Sequence, residues 1–242
     1  MKKNGKLIVL SDNIVFGRKE FLAESGLSIY LETKEHRYLF DVGFGRTLVH
    51  NAAILGIDLS KLDGIFLSHS HSDHTGGLPE VMKYISRIPV YAHPMIFANR
   101  YRINNENKKN YGGIPFVKNY IEKLGADFQL TQGITQPEKR LYFTGEIPRT
   151  HEFEKADLNG RYVETEEGVT PDEIQDEQAL AILAKEGLIL ITGCAHSGLL
   201  NTLSHAMEIT GAKHVHCLIG GTHLGFAEDN QIEKTITKLN EF

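Results

Sequence analysis

The sequence predicts a layered α/β/β/α fold formed by a single domain of residues 1–242. Short apolar strands interspersed with helices, in two portions of comparable content, are typical of such a layered arrangement. The chain of 242 residues is also long enough to bury about three quarters of its unfolded surface in one core. The alternative is a doubly wound parallel sheet, which three predicted strands before any clear helix disfavour.

Alternation of short apolar runs with turn residues predicts the elements of the first half. The strands are residues 6–10, 28–32, 38–42, 64–67 and 90–92. The helices are residues 52–55, ended by Gly56, residues 78–85, with Pro79 in the first turn, and residues 116–124, ended by Gly125.

Two polar stretches of the chain show little periodicity. Residues 100–111 and 152–178 are rich in Asn, Lys, Glu, Asp and Gly, which predicts loops or insertions. After residue 178 the pattern predicts a hairpin of residues 179–183 and 188–192. It then predicts a helix at residues 201–210, a strand at residues 215–219 and a final helix at residues 232–239.

Composition narrows the classes of function. The net charge of −5 provides no electrostatic case for binding nucleic acid or an anionic membrane. Cys194 and Cys217 lie in apolar stretches and do not suggest a disulfide framework. The apolar run at residues 7–10 is too short for a signal peptide or a membrane span. We therefore expect a cytoplasmic protein that acts on a small molecule, with homo-oligomer formation left open.

One run of the sequence has the spacing of a metal site: His69, His71, Asp73 and His74. In an extended segment, residues two apart point the same way, so His69 and His71 can bind one metal. Asp73 and His74 follow where the chain turns into a helix, whose N-terminus disfavours a charged imidazole. These ligand types favour zinc, with iron and manganese as alternatives. A polar surface loop and a closed structural zinc site are the competing interpretations.

Three further strands open into turns that carry His, Asp or Cys. His196 and His223 each follow an apolar strand among small residues, so we expect both to be metal ligands rather than buried histidines bonded to carbonyl groups. With the central run they provide five His and one Asp, enough for two divalent metal ions. Asp41 is expected to orient a ligating imidazole, the alternative being a turn Asp that caps its own loop. Cys194 is either a small buried residue, which we favour, or a thiolate ligand.

The remaining seven histidines have no ligand-like context and are interpreted as surface or packing residues. They are His36, His50, His93, His151, His205, His214 and His216.

Residues 68–78 resemble the HxHxDH signature of the metallo-β-lactamase superfamily, and Asp41, His196 and His223 fall where its other motifs would lie. The resemblance implies a four-layer αββα sandwich of the metallo-β-lactamase type. The chain also resembles, more narrowly, one subfamily that is described as similar to dihydropterin–ribofuranosylaminobenzene phosphate synthase. The segments that carry this resemblance are residues 144–149, 176–180, 193–198 and 220–224. One departure is that Gly193-Cys194 stands where many members carry a bridging Asp. Two arrangements of the metals therefore stay open. In one, two metals are bridged only by water; in the other, one metal site is tight and the second is weak.

The subfamily pattern also contains Glu146 and Arg149. Arg149 is a candidate for binding a substrate phosphate or carboxylate, with Arg100 and Arg102 as further candidates. The alternative is that Arg149 fixes its loop through an ion pair with Glu146 or Glu152.

These observations predict a metal-dependent hydrolase of a small ester, amide, lactone or phosphoester. Metal-bound water or hydroxide would attack, and Asp73 would orient that water and shuttle its proton. One alternative is a pterin-type synthase, in which the same metals assist loss of pyrophosphate and condensation with a ribofuranosylaminobenzene phosphate. Another is a non-catalytic, metal-containing protein that binds a ligand. Redox chemistry is disfavoured, since the chain has no flavin fingerprint.

Overall fold

The computed structural model describes residues 5–103, 109–155, 158, 160–166 and 168–242. Their contacts divide the chain into two units, one formed by residues 1–92 and 113–130 and the other by residues 93–112 and 131–242. The expectation of a single domain over residues 1–242 stays a prediction.

The strands within the described residues, in chain order, are β1 (Lys6–Ser11), β2 (Ser28–Glu32), β3 (Arg37–Phe40), β4 (Gly64–Phe66), β5 (Ile88–Ala92), β6 (Arg100–Ile103), β7 (Lys109–Tyr111), β8 (Ala126–Leu130), β9 (Thr135–Glu138), β10 (Leu141–Phe143), β11 (Arg161–Thr165), β12 (Gly168–Pro171), β13 (Leu180–Ala184), β14 (Gly187–Thr192) and β15 (Val215–Gly220). The α-helices are α1 (Leu48–Ile54), α2 (Ser72–Thr75), α3 (Leu78–Met82), α4 (Lys118–Lys123), α5 (Leu199–Thr210) and α6 (Asp229–Leu239). Every helix of the described residues is too short or too polar to span a bilayer.

The first unit contains a six-stranded sheet in the order β1-β2-β3-β4-β5-β8. β1, β2 and β3 pair antiparallel, whereas β3, β4, β5 and β8 run parallel. Both faces of β4 are buried, which is why its sequence is apolar without alternation. Across three neighbouring strands, the Phe66 ring stacks on that of Tyr91, with centroids 4.9 Å apart, and lies tilted against that of Tyr38, with centroids 5.3 Å apart. Because parallel strands end at the same edge, the turns after β3 and β4 lie side by side.

A five-stranded sheet in the second unit has the order β15-β14-β13-β10-β9. β13 and β14 form the predicted hairpin, and β14 pairs parallel with β15. The apolar face of α5 packs on this sheet through Leu199, Leu200, Leu203 and Ala206. The parallel pairing brings the C-terminal ends of β14 and β15, and the turns that follow them, to one edge.

The same unit holds a four-stranded antiparallel sheet, β12-β11-β6-β7, where the sequence predicts loops. The loop prediction was therefore wrong at residues 100–103, 109–111, 161–165 and 168–171, while residues 104–108, 156–157, 159 and 167 lie outside the described residues. Few of the strand residues are buried; Arg100 and Val163 are, and they pair across β6 and β11. A strand that buries so few apolar side chains lacks the alternation by which strands are recognised.

Elsewhere the predicted elements are confirmed with shifted ends. The helix expected at residues 78–85 ends at Met82, and the one expected at residues 201–210 begins at Leu199. The strands β8, β9 and β10 were not predicted, since they are short and largely polar or follow directly on a turn.

Candidate metal centre

The loop after β4 carries the central run of histidines in the first unit. His69 and His74 are buried, whereas His71 and Asp73 are half-buried. The backbone bends at His69 and Ser70, where the sequence predicts an extended segment, and turns into α2 at Ser72. The His69 ring centroid lies 4.6 Å from that of His71 and 4.3 Å from that of His74. The run thus gathers its three imidazoles around His69.

Asp41 organises this cluster from the neighbouring strand end. Its carboxylate is fully buried and accepts hydrogen bonds from the Ser68 backbone N–H, from Ser68 Oγ and from His74 Nδ1, each at 2.7 Å. Because a carboxylate only accepts, His74 carries its proton on Nδ1 and keeps a lone pair on Nε2. Ser68 Oγ lies 2.8 Å from His69 Nδ1. The one proton of the Ser68 hydroxyl group is donated to Asp41, so the His69 Nδ1–H must donate to Ser68 Oγ. His69 therefore also keeps a lone pair on Nε2.

The donor atoms of the run have the separations that a shared metal requires. His69 Nε2 lies 3.0 Å from His71 Nδ1, and His74 Nε2 lies 3.7 Å from Asp73 Oδ2. Two ligand atoms held at about 2.1 Å by a tetrahedral zinc ion are about 3.4 Å apart. The residues present therefore fit a divalent metal, in chemistry and in spacing.

His196 and His223 come together in the second unit, on the turns after β14 and β15. Their ring centroids lie 4.2 Å apart. The turns approach closely because Gly220 and Gly221 lack a side chain: a Cβ on Gly220 would overlap the Thr192 carbonyl oxygen. Asp41, Ala195 and His223 have left-handed backbone conformations, with φ of 55°, 59° and 51°. Strain of this kind in non-glycine residues is typical of functional turns.

Glu177 holds the turn that carries His196. Its buried carboxylate accepts hydrogen bonds from the backbone N–H groups of His196 at 2.6 Å and Ser197 at 2.5 Å. Burial raises the pKa of the Glu177 carboxyl group above 4.5, and the N–H groups of Ser197 and His196 only partly oppose that rise. Sequence reasoning quoted Glu177 within a motif but did not assign it a role, since its partners are 19 and 20 residues away.

The raised pKa of Glu177 predicts a pH-dependent contribution to stability. The folded chain holds this proton more tightly than the unfolded chain, so the contribution is most favourable below pH 4.5 and declines as the pH rises through the folded pKa. We expect Glu177→Gln to remove that decline, so that the variant gains stability relative to the parent when a pH below 4.5 is compared with a pH well above it. Urea unfolding at both pH values measures this. Glu233→Gln, at an exposed residue, is the control, and parallel profiles for parent and Glu177→Gln would contradict the prediction.

The two proposed substrate contacts have defined partners within the second unit. Arg149 is exposed and donates to the carbonyl oxygens of Glu173 at 2.8 Å and His196 at 3.2 Å. It braces the His196 turn through backbone groups rather than through an ion pair with Glu146 or Glu152. Glu146 instead accepts a hydrogen bond from His93 Nε2 at 2.9 Å. The binding of substrate by Glu146 and Arg149 stays a prediction.

Several other residues correct or extend the sequence interpretation. Arg100 is buried against Asp172 and Asp176, so it is not placed to bind a substrate. His93 is fully buried and, because its Nδ1 accepts from the Met95 N–H, donates through Nε2 to Glu146. Cys194 is half-buried on the His196 turn and is not in a disulfide.

The sequence from residue 23 to residue 151, which contains Asp41 and the whole central run, matches the model of the metallo-β-lactamase superfamily. The chain belongs to the metallo-β-lactamase superfamily. It is 32% identical to the 7,8-dihydropterin-6-methyl-4-(β-D-ribofuranosyl)-aminobenzene-5'-phosphate synthase of Methanocaldococcus jannaschii, over 98% of this chain and 84% of the relative. An uncharacterized protein of the same organism is 31% identical over 94% of this chain and 83% of its own length.

A solved structure extends the superfamily assignment to the fold. The crystal structure of a metal-dependent hydrolase of the β-lactamase superfamily superposes with a TM-score of 0.80 at 29% identity, covering 97% of this chain and 83% of that one. The expected metallo-β-lactamase fold is confirmed. The chain is an enzyme of the metallo-β-lactamase superfamily, whose members generally bind divalent metals, so the non-catalytic alternative is set aside.

Proposed function

We propose that the chain is a metal-dependent hydrolase of a small ester, amide, lactone or phosphoester. The observation that carries the proposal is the hydrogen-bond chain from Asp41, which leaves a lone pair on Nε2 of both His69 and His74 beside His71 and Asp73. That tautomeric state is the one in which imidazole binds a metal. The similar structure described as a metal-dependent hydrolase supports this reading.

Six residues would hold two divalent transition metal ions, zinc first, with iron or manganese as alternatives. They are His69, His71, Asp73, His74, His196 and His223. Bound there, such ions lower the pKa of water and stabilise negative charge that develops on oxygen. Three His residues and one carboxylate of the central run supply neutral and anionic ligands of the type that zinc accepts.

The residues of this chain would divide the remaining work. Asp41, fully buried, keeps His69 and His74 in one orientation and one tautomer. Asp73 retains 33% of its side-chain exposure, so its carboxylate is accessible to orient a water molecule and take up its proton. Glu177 and Arg149 fix the backbone of the His196 turn, and thereby the direction of that imidazole.

The second candidate is a synthase that uses the same site. It is favoured by the 32% identity, over 98% of this chain, to the M. jannaschii synthase. In such a reaction, the C–O bond of a pterin pyrophosphate would break and release pyrophosphate. The aromatic amine or a ring carbon of a ribofuranosylaminobenzene phosphate would form the new bond to that carbon, and the proton that the attacking atom loses would pass to the released pyrophosphate or to water. Glu146 and Arg149 would then contact the substrates.

We further propose a small-molecule, phosphorylated substrate and a cytoplasmic location, with no nucleic-acid or membrane partner and homo-oligomer formation left open.

An acceptor experiment separates the two candidates. Metal-loaded protein is incubated with a pterin pyrophosphate, with and without a ribofuranosylaminobenzene phosphate, and pyrophosphate and coupled product are measured by chromatography. Hydrolysis predicts that pyrophosphate release is independent of the acceptor. Synthesis predicts coupled product in equal amount to the pyrophosphate released and little release without the acceptor. If neither occurs, a panel of esters, lactones and phosphodiesters tests the hydrolase reading, and no turnover on that panel contradicts it.

A further inference from the structure

His93 and Glu146 form a hydrogen-bonded pair in the second unit that contains none of the proposed metal ligands. His93 is fully buried, and its Nε2–H donates to Glu146 Oε1 at 2.9 Å. The other ring nitrogen, Nδ1, accepts from the Met95 backbone N–H at 3.1 Å, so the one proton of the neutral ring is on Nε2. The Glu146 side chain is still 48% exposed. The pair therefore joins a fixed interior ring to an accessible carboxylate.

Strand register brings Glu146 to the same edge of the five-stranded sheet as the turns of His196 and His223. The last residue of β10 pairs with the first residue of β13, which lies beside the C-terminal end of β14. That end of β14 in turn lies beside the C-terminal end of β15. The chain thus leaves β10 toward Glu146 at the edge where β14 and β15 lead into the two histidine turns.

The segment that carries Glu146 is tied to the His196 turn and its supports on both sides. Before Glu146, the Thr144 N–H donates to the Ala179 carbonyl oxygen at 3.0 Å, and the Ala179 N–H donates to Thr144 Oγ1 at 2.9 Å. After Glu146, Arg149 donates to the carbonyl oxygen of His196 at 3.2 Å. The Glu146 carboxylate is therefore held in a fixed relation to a turn that carries a proposed metal ligand.

The pair is better suited to binding than to stabilising the fold. Fixing an exposed glutamate costs rotamer entropy, and an exposed polar pair stabilises a fold only weakly. A carboxylate that is already fixed favours binding, because that entropy is lost on folding rather than when a ligand arrives. Within the described part of the chain, Glu146 Oε2 accepts no hydrogen bond, whereas Oε1 is bound by His93. Since a carboxylate only accepts, Oε2 is suited to an N–H or O–H group of a ligand.

We propose that Glu146 Oε2 accepts the N–H of a secondary amide in the substrate, and that His93 is the positioning residue that holds Glu146 for this contact. The inference rests on the proposed hydrolase function and selects one of its substrate classes. Esters, lactones and phosphodiesters present only oxygen acceptors at the bond that breaks, and a tertiary amide has no N–H, so a carboxylate acceptor disfavours all of them. In the hydrolysis of a secondary amide, water gives its hydroxyl group to the carbonyl carbon and its other proton to the nitrogen as the C–N bond breaks, so the products are a carboxylic acid and an amine.

Two metal-binding probes that differ in one N–H test the contact without turnover. Acetohydroxamate binds a metal through its two oxygens and keeps an N–H, which N-methylacetohydroxamate lacks. Isothermal titration calorimetry on zinc-loaded full-length protein measures the affinity of each. Glu146→Gln keeps the size of the side chain and an oxygen that accepts from His93. We expect it to weaken acetohydroxamate about tenfold and to change N-methylacetohydroxamate less than about twofold, because one charge-assisted hydrogen bond is lost.

Substitutions of His93 test the positioning role. Phe keeps the volume of the ring without a donor, whereas Gln supplies a donor close to the position of Nε2. We expect His93→Phe to weaken acetohydroxamate about tenfold and His93→Gln to stay within about threefold of the parent. In the Glu146→Gln background, His93→Phe should cause no further loss, because His93 acts only through Glu146. A structural role alone would instead weaken both probes alike. Circular dichroism reports folding, and Glu146→Gln, at an exposed residue, keeps the test decisive if His93→Phe does not fold.

Glu186→Gln is the matched control, since Glu186 is an exposed glutamate in the turn between β13 and β14, at the opposite edge of the same sheet. It should bind both probes like the parent. A ratio of the two affinities that is equal in the parent and in Glu146→Gln, or no binding of either probe by the parent, would overturn the proposal. The expected pattern in a protein that turns over neither esters nor secondary amides would uphold the contact and contradict only the hydrolase proposal.

Discussion

Replacing His71 by Ala is expected to lower turnover by at least about a thousandfold without unfolding the chain. The reason is that His71 Nδ1 and His69 Nε2, only 3.0 Å apart, would form one ligand pair in the proposed metal centre, so one member alone would not hold the metal in the same position. His71 is half-buried and lies in a loop rather than in the core, so its loss removes little packing. Asp73→Ala is expected to behave in the same way.

Metal content and activity are measured together in this experiment. Elemental analysis of protein purified without added metal gives the ions bound per chain, and circular dichroism reports folding. His216→Ala, at an exposed histidine of β15, is the matched control and should keep both the metal and the activity of the parent. Parent-like turnover of any ester or phosphodiester by both His71→Ala and Asp73→Ala would refute the assignment of the metal centre.

Substitution of Arg100 by Met is expected to lower the free energy of unfolding by about 3–5 kcal/mol. Arg100 is 2% exposed and donates to Asp172 through Nε at 2.7 Å and to Asp176 through both terminal nitrogens, at 3.1 and 2.7 Å. Burial alone would lower the pKa of Arg100, but the charges of Asp176 and Asp172 outweigh it and raise that pKa. Met keeps much of the side-chain volume and leaves two buried carboxylates without their cation.

Arg102 provides the control for this prediction, since it lies two residues along the same strand and is exposed. Arg102→Met should change the free energy of unfolding by less than about 0.5 kcal/mol. Urea denaturation followed by circular dichroism measures both variants at one pH. Equal stability of the Arg100→Met and Arg102→Met proteins would mean that the buried ion pairs do not stabilise the four-stranded sheet.

The fold was predictable where burial imposes a pattern on the sequence. β4 and β14 are buried and apolar, and the hairpin of β13 and β14 is marked by its turn, so they stand out from the chain around them. The four-stranded sheet was missed because its strands are held by backbone pairing and by one buried arginine rather than by apolar alternation. Polar strands of this kind carry no periodic signal in a single sequence.

The role of Arg100 illustrates the same limit at the level of one side chain. An arginine in a polar stretch suggests a contact with an anionic substrate, and the structure instead surrounds it with carboxylates 72 and 76 residues away. Glu177 was likewise beyond sequence reasoning, since a carboxylate that binds backbone N–H groups requires no particular residue type in its partners.

By itself, the sequence determined that His69, His71, Asp73 and His74 lie together, because their spacing acts within a few residues of one loop. It also determined which strands end in turns that carry His196 and His223. Only the tertiary structure decided how Asp41 acts on that run. Asp41 contacts Ser68 and His74, 27 and 33 residues away, because the parallel pairing of β3 with β4 brings their ends together. Hydrogen bonds between such distant residues depend on strand register, which no local pattern encodes.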